Sequence, residues 1–164
     1  MTPDVAVAHS CADAKGLIGG LSMMGRLPWL VVVAGLLLTP AAAFADRIVA
    51  RVSITDQRMH VYRDGVLLHE WPVSTARPGW ITPTGAWTAQ WLSRNHRSSR
   101  YNNAPMPFSI FFNGHYAIHG TDQIGRLGQP ASAGCVRLHP DNARRLFGMV
   151  AEEGAGNMRV VVVP

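Results

Sequence analysis

The sequence predicts a mainly β fold with one short helix near its C-terminal end. Three observations carry that expectation. Apolar and polar residues alternate through much of the chain after residue 46. Turn signals separate the alternating stretches, Asp64-Gly65 and Asn113-Gly114 being the strongest. Helix-start chemistry appears only at Pro140.

Arg47 to Thr55 (RIVARVSIT) places Ile48, Ala50, Val52 and Ile54 on one face, a first strand. Asp56-Gln57 can turn the chain into a second strand, Arg58 to Tyr62. Asp64-Gly65 then predicts a hairpin into Val66 to Val73, with Pro72 near the end of that strand. Pro78-Gly79 and Pro83-Thr84-Gly85 punctuate the next stretch, and Ala86 to Leu92 predicts a fourth strand. Ser93 to Pro107 reads as a polar loop of the length that marks lids and binding loops, holding Arg94, His96, Arg97, Arg100, Tyr101 and Met106. Phe108 to Phe112 and His115 to His119 flank Asn113-Gly114 as a second hairpin. Gly120 to Gly134 is glycine-rich loop. Pro140 suits a first helical turn, Asp141 favours its dipole, and the amphipathic pattern runs toward Val150. Gly154 to Asn157 ends the helix, and Met158 to Val163 is a last, buried strand.

Residues 1–45 have a different character. Arg26 precedes the apolar run Leu27 to Leu38, Thr39-Pro40 breaks it, and Ala43-Phe44-Ala45 comes just before Asp46. A charged residue, an apolar stretch and an A-x-A site make a secretory signal peptide, with Met23 or Met24 a plausible true start. The apolar run is short for a membrane span of about 20 residues, although an uncleaved anchor is the alternative. The expected location is therefore exported, in the periplasm or cell envelope. Residues 46–164 form one domain, large enough to fold on an apolar core without disulfides or metal.

Lys and Arg total 15 against 10 Asp and Glu, a formal charge of +5. A basic exported domain suits an anionic wall polymer or membrane face. Nucleic acid is the weaker partner, because export removes it. Of the two cysteines, Cys11 lies upstream of the apolar run, which leaves Cys135 alone in the exported part. It cannot form an internal disulfide, and a lone thiol in an oxidising compartment risks mispairing, so its presence asks for a reason.

His119-Gly-Thr stands sixteen residues before Cys135, within Ser132-Ala-Gly-Cys-Val-Arg-Leu138. A thiol attacks as the thiolate, and a neighbouring imidazole or cation promotes that form. His119 ends a predicted strand, so the scaffold can hold it. The amides of Gly134 and Cys135 can face a developing oxyanion, and Arg137 offers a planar fork for a carboxylate. Each piece has a plain alternative. Cys135 can be a small buried hydrophobe, His119 a structural residue, and Arg137 a partner of Asp141. His115-x3-His119 resembles zinc spacing, but four residues of strand span about 13 Å, too far for one metal. Cys135, His119 and His139 remain as a possible three-ligand set; no metal is expected.

The His119-Gly-Thr and Ser-x-Gly-Cys-Val-Arg-Leu pair resembles the signature of the L,D-transpeptidase (YkuD-like) catalytic domain. Val73-Ser-Thr75, Thr82-Pro-Thr-Gly85 and Met106-Pro107 recur in that family's order, and the resemblance covers residues 47–163. It implies a β-sandwich with one short helix after the cysteine, no cofactor, and peptidoglycan stem peptides as substrate. By position it makes Cys135 the nucleophile and His119 the general base, with the Gly120 carbonyl orienting the imidazole. Gly134 would supply an oxyanion N–H, and Arg137, Ser132, Tyr101 and Met106 would meet substrate. Transfer to the side-chain amine of a second stem would release D-alanine and form a 3→3 crosslink; a wall-linked protein is another conceivable acceptor. Carbapenem-type inhibitors would acylate Cys135. The same acyl-enzyme given to water would make an L,D-carboxypeptidase or amidase, and loss of chemistry would leave a wall-binding domain. Ala133 departs from the pattern, since many members carry His there.

Overall fold

The computed structural model describes residues 47–164. The signal-peptide and start-site readings lie outside these residues. Among the described residues nine strands form two sheets, with one α-helix. The first sheet has the order β3 (Val66–Pro72), β2 (Arg58–Arg63), β1 (Ile48–Ser53), β9 (Met158–Val163), β4 (Gly85–Thr88), and the second β5 (Trp91–Arg97), β6 (Pro105–Asn113), β7 (Tyr116–Gly120), β8 (Val136–Leu138).

Strict alternation builds the first sheet. In β1 (Ile48–Ser53), Ile48, Ala50 and Val52 are fully buried. Its antiparallel neighbour β2 (Arg58–Arg63) contributes Met59 and Val61. Between β2 and β3 (Val66–Pro72) the turn residues Asp64 (φ 49°) and Gly65 (φ 81°) are both left-handed, the condition for the tight hairpin read from Asp-Gly. The edge position of β3 explains how it tolerates Pro72. The C-terminal strand β9 (Met158–Val163) runs parallel to β1 and buries Met158, Val160 and Val162.

The stretch expected as one strand, Ala86 to Leu92, is two. β4 (Gly85–Thr88) pairs with β9, whereas β5 (Trp91–Arg97) pairs with β6 (Pro105–Asn113) in the other sheet. The changeover lies between them: the Ala89 amide donates to the Met158 carbonyl (2.9 Å) and the Gln90 amide to the Phe111 carbonyl (2.7 Å). The expected polar loop over 93–107 is also corrected. Most of it is strand, and only about residues 98–104 connect β5 to β6. β5 is an edge strand whose residues are exposed or half-buried, so it lacks apolar alternation. Backbone pairing to β6 holds it instead.

The second hairpin is offset by one residue from the expectation. Asn113 ends β6 and pairs with Tyr116, so Gly114-His115 forms the turn and β7 spans Tyr116–Gly120. A register irregularity between Phe111 and Asn113 absorbs the difference. β8 (Val136–Leu138) then lies parallel to β7.

Helix α1 (Pro140–Glu153) starts as expected, with Pro140 in the first turn. The imidazole of His139 caps it by accepting from the Asp141 amide, 3.3 Å. Ala143, Leu146, Phe147 and Val150 form its buried stripe, packed across β6 and β7. One core joins this stripe to the inner faces of both sheets, including Ile110, Phe112, Ile118, Val136 and Leu138. Glu153, at the helix end, is bonded by both Arg47 and Arg63, tying α1 to β1 and β2. No helix among the described residues is long and apolar enough to cross a membrane.

Candidate active site

Strand parity brings the candidate residues together. β7 and β8 are parallel with Ile118 opposite Val136 and His119 opposite Arg137. Ile118 and Val136 point into the core. Alternation therefore turns His119 and Arg137 to the other face, with Cys135 one step before β8 on the same side. The core has fixed where the polar groups emerge.

The imidazole of His119 is only 6% exposed. Its Nδ1 lies 2.7 Å from the Gly120 carbonyl. A carbonyl only accepts, so Nδ1 carries the hydrogen, and in the neutral ring Nε2 is the nitrogen able to take a proton. Burial pulls the His119 pKa down to about 4, the Gly120 bond opposes this, and the positive charges of Arg137 and His96 add to the lowering. At neutral pH the imidazole is uncharged.

Cys135 is partly buried against Met106, Phe111 and Ala117. Its Sγ is 3.8 Å from the His115 carbonyl, a weak thiol contact. Burial raises its pKa, while a hydrogen bond from the Ala117 backbone and the charge of Arg137 pull the other way. The resting pair is therefore a neutral thiol and a neutral imidazole. Arg137 favours the thiolate and disfavours the imidazolium at once, which keeps the base unprotonated while easing loss of the thiol proton.

Arg137 does not pair with Asp141. Its Nη1 donates to Gln123 Oε1 at 3.0 Å and lies 3.5 Å from the Ala131 carbonyl. Asp141 faces His139 instead. His139, as the helix cap, is thereby occupied away from Cys135, and no group of three His, Cys, Asp or Glu among the described residues is placed to hold a metal.

The loop that carries Cys135 is fastened from several directions. Ser74 exchanges backbone bonds with Arg137 (3.0 and 2.9 Å), and the Thr75 carbonyl accepts from the amides of Ala131 and Ser132. Thr82 Oγ1 donates to the Gly134 carbonyl (2.8 Å) and accepts from the Ala76 amide (2.9 Å). Buried Gln57 clasps Thr75 through both side-chain amide atoms. The Gly134 amide donates to Ser132 Oγ at 3.0 Å. Gly134 itself is required: its φ is 124°, and a Cβ there would stand 2.7 Å from the Tyr116 ring and 2.9 Å from the Ile81 carbonyl.

Two cavities, each about 300 Å³, meet at Cys135 and share Ser98, Tyr101, Met106 and Ala133. One is polar and carries more basic than acidic side chains, adding His119, Arg137, Arg77, Asp122, Gln123 and Ser132. The other is aromatic, adding Trp91, Phe111, Tyr116 and His96. Tyr101 and Met106, expected on a loop, thus stand between the two; Ser109 Oγ pins the Met106 carbonyl at 2.8 Å. Gln57, Gln123 and Trp91 were given no part in the site from the sequence, and Thr82 entered only as the start of the Thr82-Pro-Thr-Gly85 motif. Thr82 meets Gly134 across 52 residues, and such a separation leaves no local pattern.

The model of the L,D-transpeptidase catalytic domain matches residues 47–163. This chain belongs to that family. A putative L,D-transpeptidase YkuD from Bacillus licheniformis is 25% identical over 103 residues, 60% of this chain and 58% of the relative. The L,D-transpeptidase of Stackebrandtia nassauensis superposes with a TM-score of 0.63 at 28% identity, covering 71% of this chain and 55% of that one. The L,D-transpeptidase LdtMt1 in complex with imipenem gives 0.64 at 22%, covering 71% and 59%. The chain thus spans less than two thirds of the length of these relatives. The expected β-sandwich with one helix is the fold of the family's solved structures. Within this L,D-transpeptidase domain, Ala133 lines both cavities, so the small side chain keeps their junction open.

Proposed function

We propose that this protein is an exported peptidoglycan L,D-transpeptidase that works through an acyl-enzyme on Cys135. The observation that carries the reading is the meeting of two cavities at one thiol, with His119 in the basic one. A stem tetrapeptide would place the carbonyl of its third residue, commonly meso-diaminopimelate, at Cys135 Sγ. His119 Nε2 takes the thiol proton as the C–S bond forms, and the Cys135 amide meets the oxyanion. The imidazolium returns that proton to the departing amine, and D-alanine leaves. Arg137 and Arg77 supply charge for the carboxylate of the leaving residue.

The acceptor then enters where D-alanine left. Its amine loses a proton to His119 Nε2 and attacks the thioester, making the 3→3 crosslink and freeing Cys135. Space at the thiol for two organic groups favours transfer over hydrolysis. Neither step needs a cofactor. Incubation with tetrapeptide stems tests the reading: crosslinked dimers and free D-alanine are expected. Tripeptides without dimers would instead assign an L,D-carboxypeptidase, and no product at all would reduce the domain to wall binding.

A further inference from the structure

The aromatic cavity has a feature that peptide chemistry does not use. Trp91 is 44% exposed although it belongs to a paired strand. One face of its indole lies flat on Phe111, with centroids 3.8 Å apart and planes 5° off parallel. His96 meets its edge at 5.7 Å. The stacking holds the ring in place, and Trp91 lines the cavity that Cys135 also lines. A half-exposed indole that lines the same cavity as the thiol offers apolar surface to a ligand there.

Proton traffic decides which part of the substrate reaches it. The leaving amine and the incoming amine both exchange a proton with His119, and His119 lines only the basic cavity. Both amines therefore occupy the basic side. The acyl part, which stays on Cys135 through both steps, is directed to the aromatic side. From the acylated third residue the stem runs back through two residues to its sugar. At no more than about 3.3–3.6 Å per residue, the three residues counted from the thioester place that sugar within roughly 11 Å of the thiol. A pyranose has a flat face of axial C–H groups that stacks on indole, and its N-acetyl carbonyl needs donors. His96, Ser99 and Arg100 line the same cavity.

We propose that the aromatic cavity is a glycan subsite, in which Trp91 stacks on an N-acetylhexosamine ring of the strand bearing the acylated stem. The proposal rests on the transpeptidase reading for its direction, and it goes beyond it by assigning a sugar to a named side chain. It makes the enzyme select stems still attached to glycan.

Two arms test it on the full chain. In the first, D-alanine release is measured from a disaccharide-tetrapeptide and from the free tetrapeptide. The ratio of their kcat/KM values should favour the disaccharide form, fall about tenfold in Trp91→Ala, and recover in part in Trp91→Phe, which retains a stacking ring. An unaltered ratio in Trp91→Ala overturns the proposal. The second arm needs no turnover: saturation-transfer NMR with tetra-N-acetylchitotetraose on Cys135→Ala protein. Transfer to the oligosaccharide, abolished by Trp91→Ala, is expected. Absence of transfer, or its persistence without Trp91, overturns the subsite. Failure of both donors to release D-alanine would remove the transpeptidase reading while this second arm still decides whether sugar binds.

Discussion

Cys135 and His119 owe their properties to burial that the surrounding strands impose. Both groups are held neutral, so in the proposed mechanism the proton moves between them during attack rather than before it. The free enzyme's acylation rate should then be flat near neutral pH and fall in acid with an apparent pKa near 4, as His119 becomes protonated. Rates of carbapenem acylation followed by mass across pH 4–8 measure this. An acid limb near the ordinary histidine value of about 6.5 would contradict the buried environment. Arg137→Gln removes the charge that lowers both pKa values, so the acid limb should move to higher pH and acylation should slow. Gly134→Ala is expected to give little or no acylation, because its Cβ has no room between Tyr116 and Ile81. At this scale the sequence was readable in part. The spacing of His119 and Cys135 and the neighbouring Arg137 were visible. The engagement of the Gly134 amide by Ser132 was not, because nothing in residue order distinguishes a free amide from an occupied one.

The elements were legible where one face is buried and the other is not. β1, β2 and β9 show clean alternation and were placed closely. β5 offered no such signal, being an edge strand exposed on much of both faces, and its polar residues resembled a loop. The break between β4 and β5 was hidden for the opposite reason: Ala89 is buried and the apolar run continues through a change of sheet. The segments that steady the loop carrying Cys135 act as braces from other elements. Thr82 is the clearest of these to test, since its hydroxyl serves one buried and one partly buried backbone group. Thr82→Val keeps the shape and removes both bonds, so it should cost about 1–3 kcal/mol in urea denaturation. Its acylation rate should fall with the freed Gly134 carbonyl. Stability loss without any rate loss would show that the brace does not position Cys135.

Among the described residues the main core serves two sheets and a helix, and the candidate site sits on the side of β7 and β8 that this core leaves out. Forcing a neutral His119 into that position links folding to pH. Its folded pKa, about 4, lies below the ordinary value of about 6.5. Between these values the unfolded chain binds a proton that the folded chain refuses, so stability falls as pH drops from about 6.5 toward 4. The loss attributable to His119 is on the order of 3 kcal/mol. Urea midpoints at pH 7 and pH 4.5 should therefore converge more closely in His119→Gln than in the parent protein, and equal losses in both would contradict the linkage. The acyl-enzyme on Cys135 is tested most directly by the intact mass of the protein after brief reaction with a stem tetrapeptide and acid quench. A tripeptide acyl group on Cys135 is expected, with one D-alanine released per adduct, and neither should form in Cys135→Ala. Dimer formation without any adduct on Cys135, or unaltered product in Cys135→Ala, would contradict it.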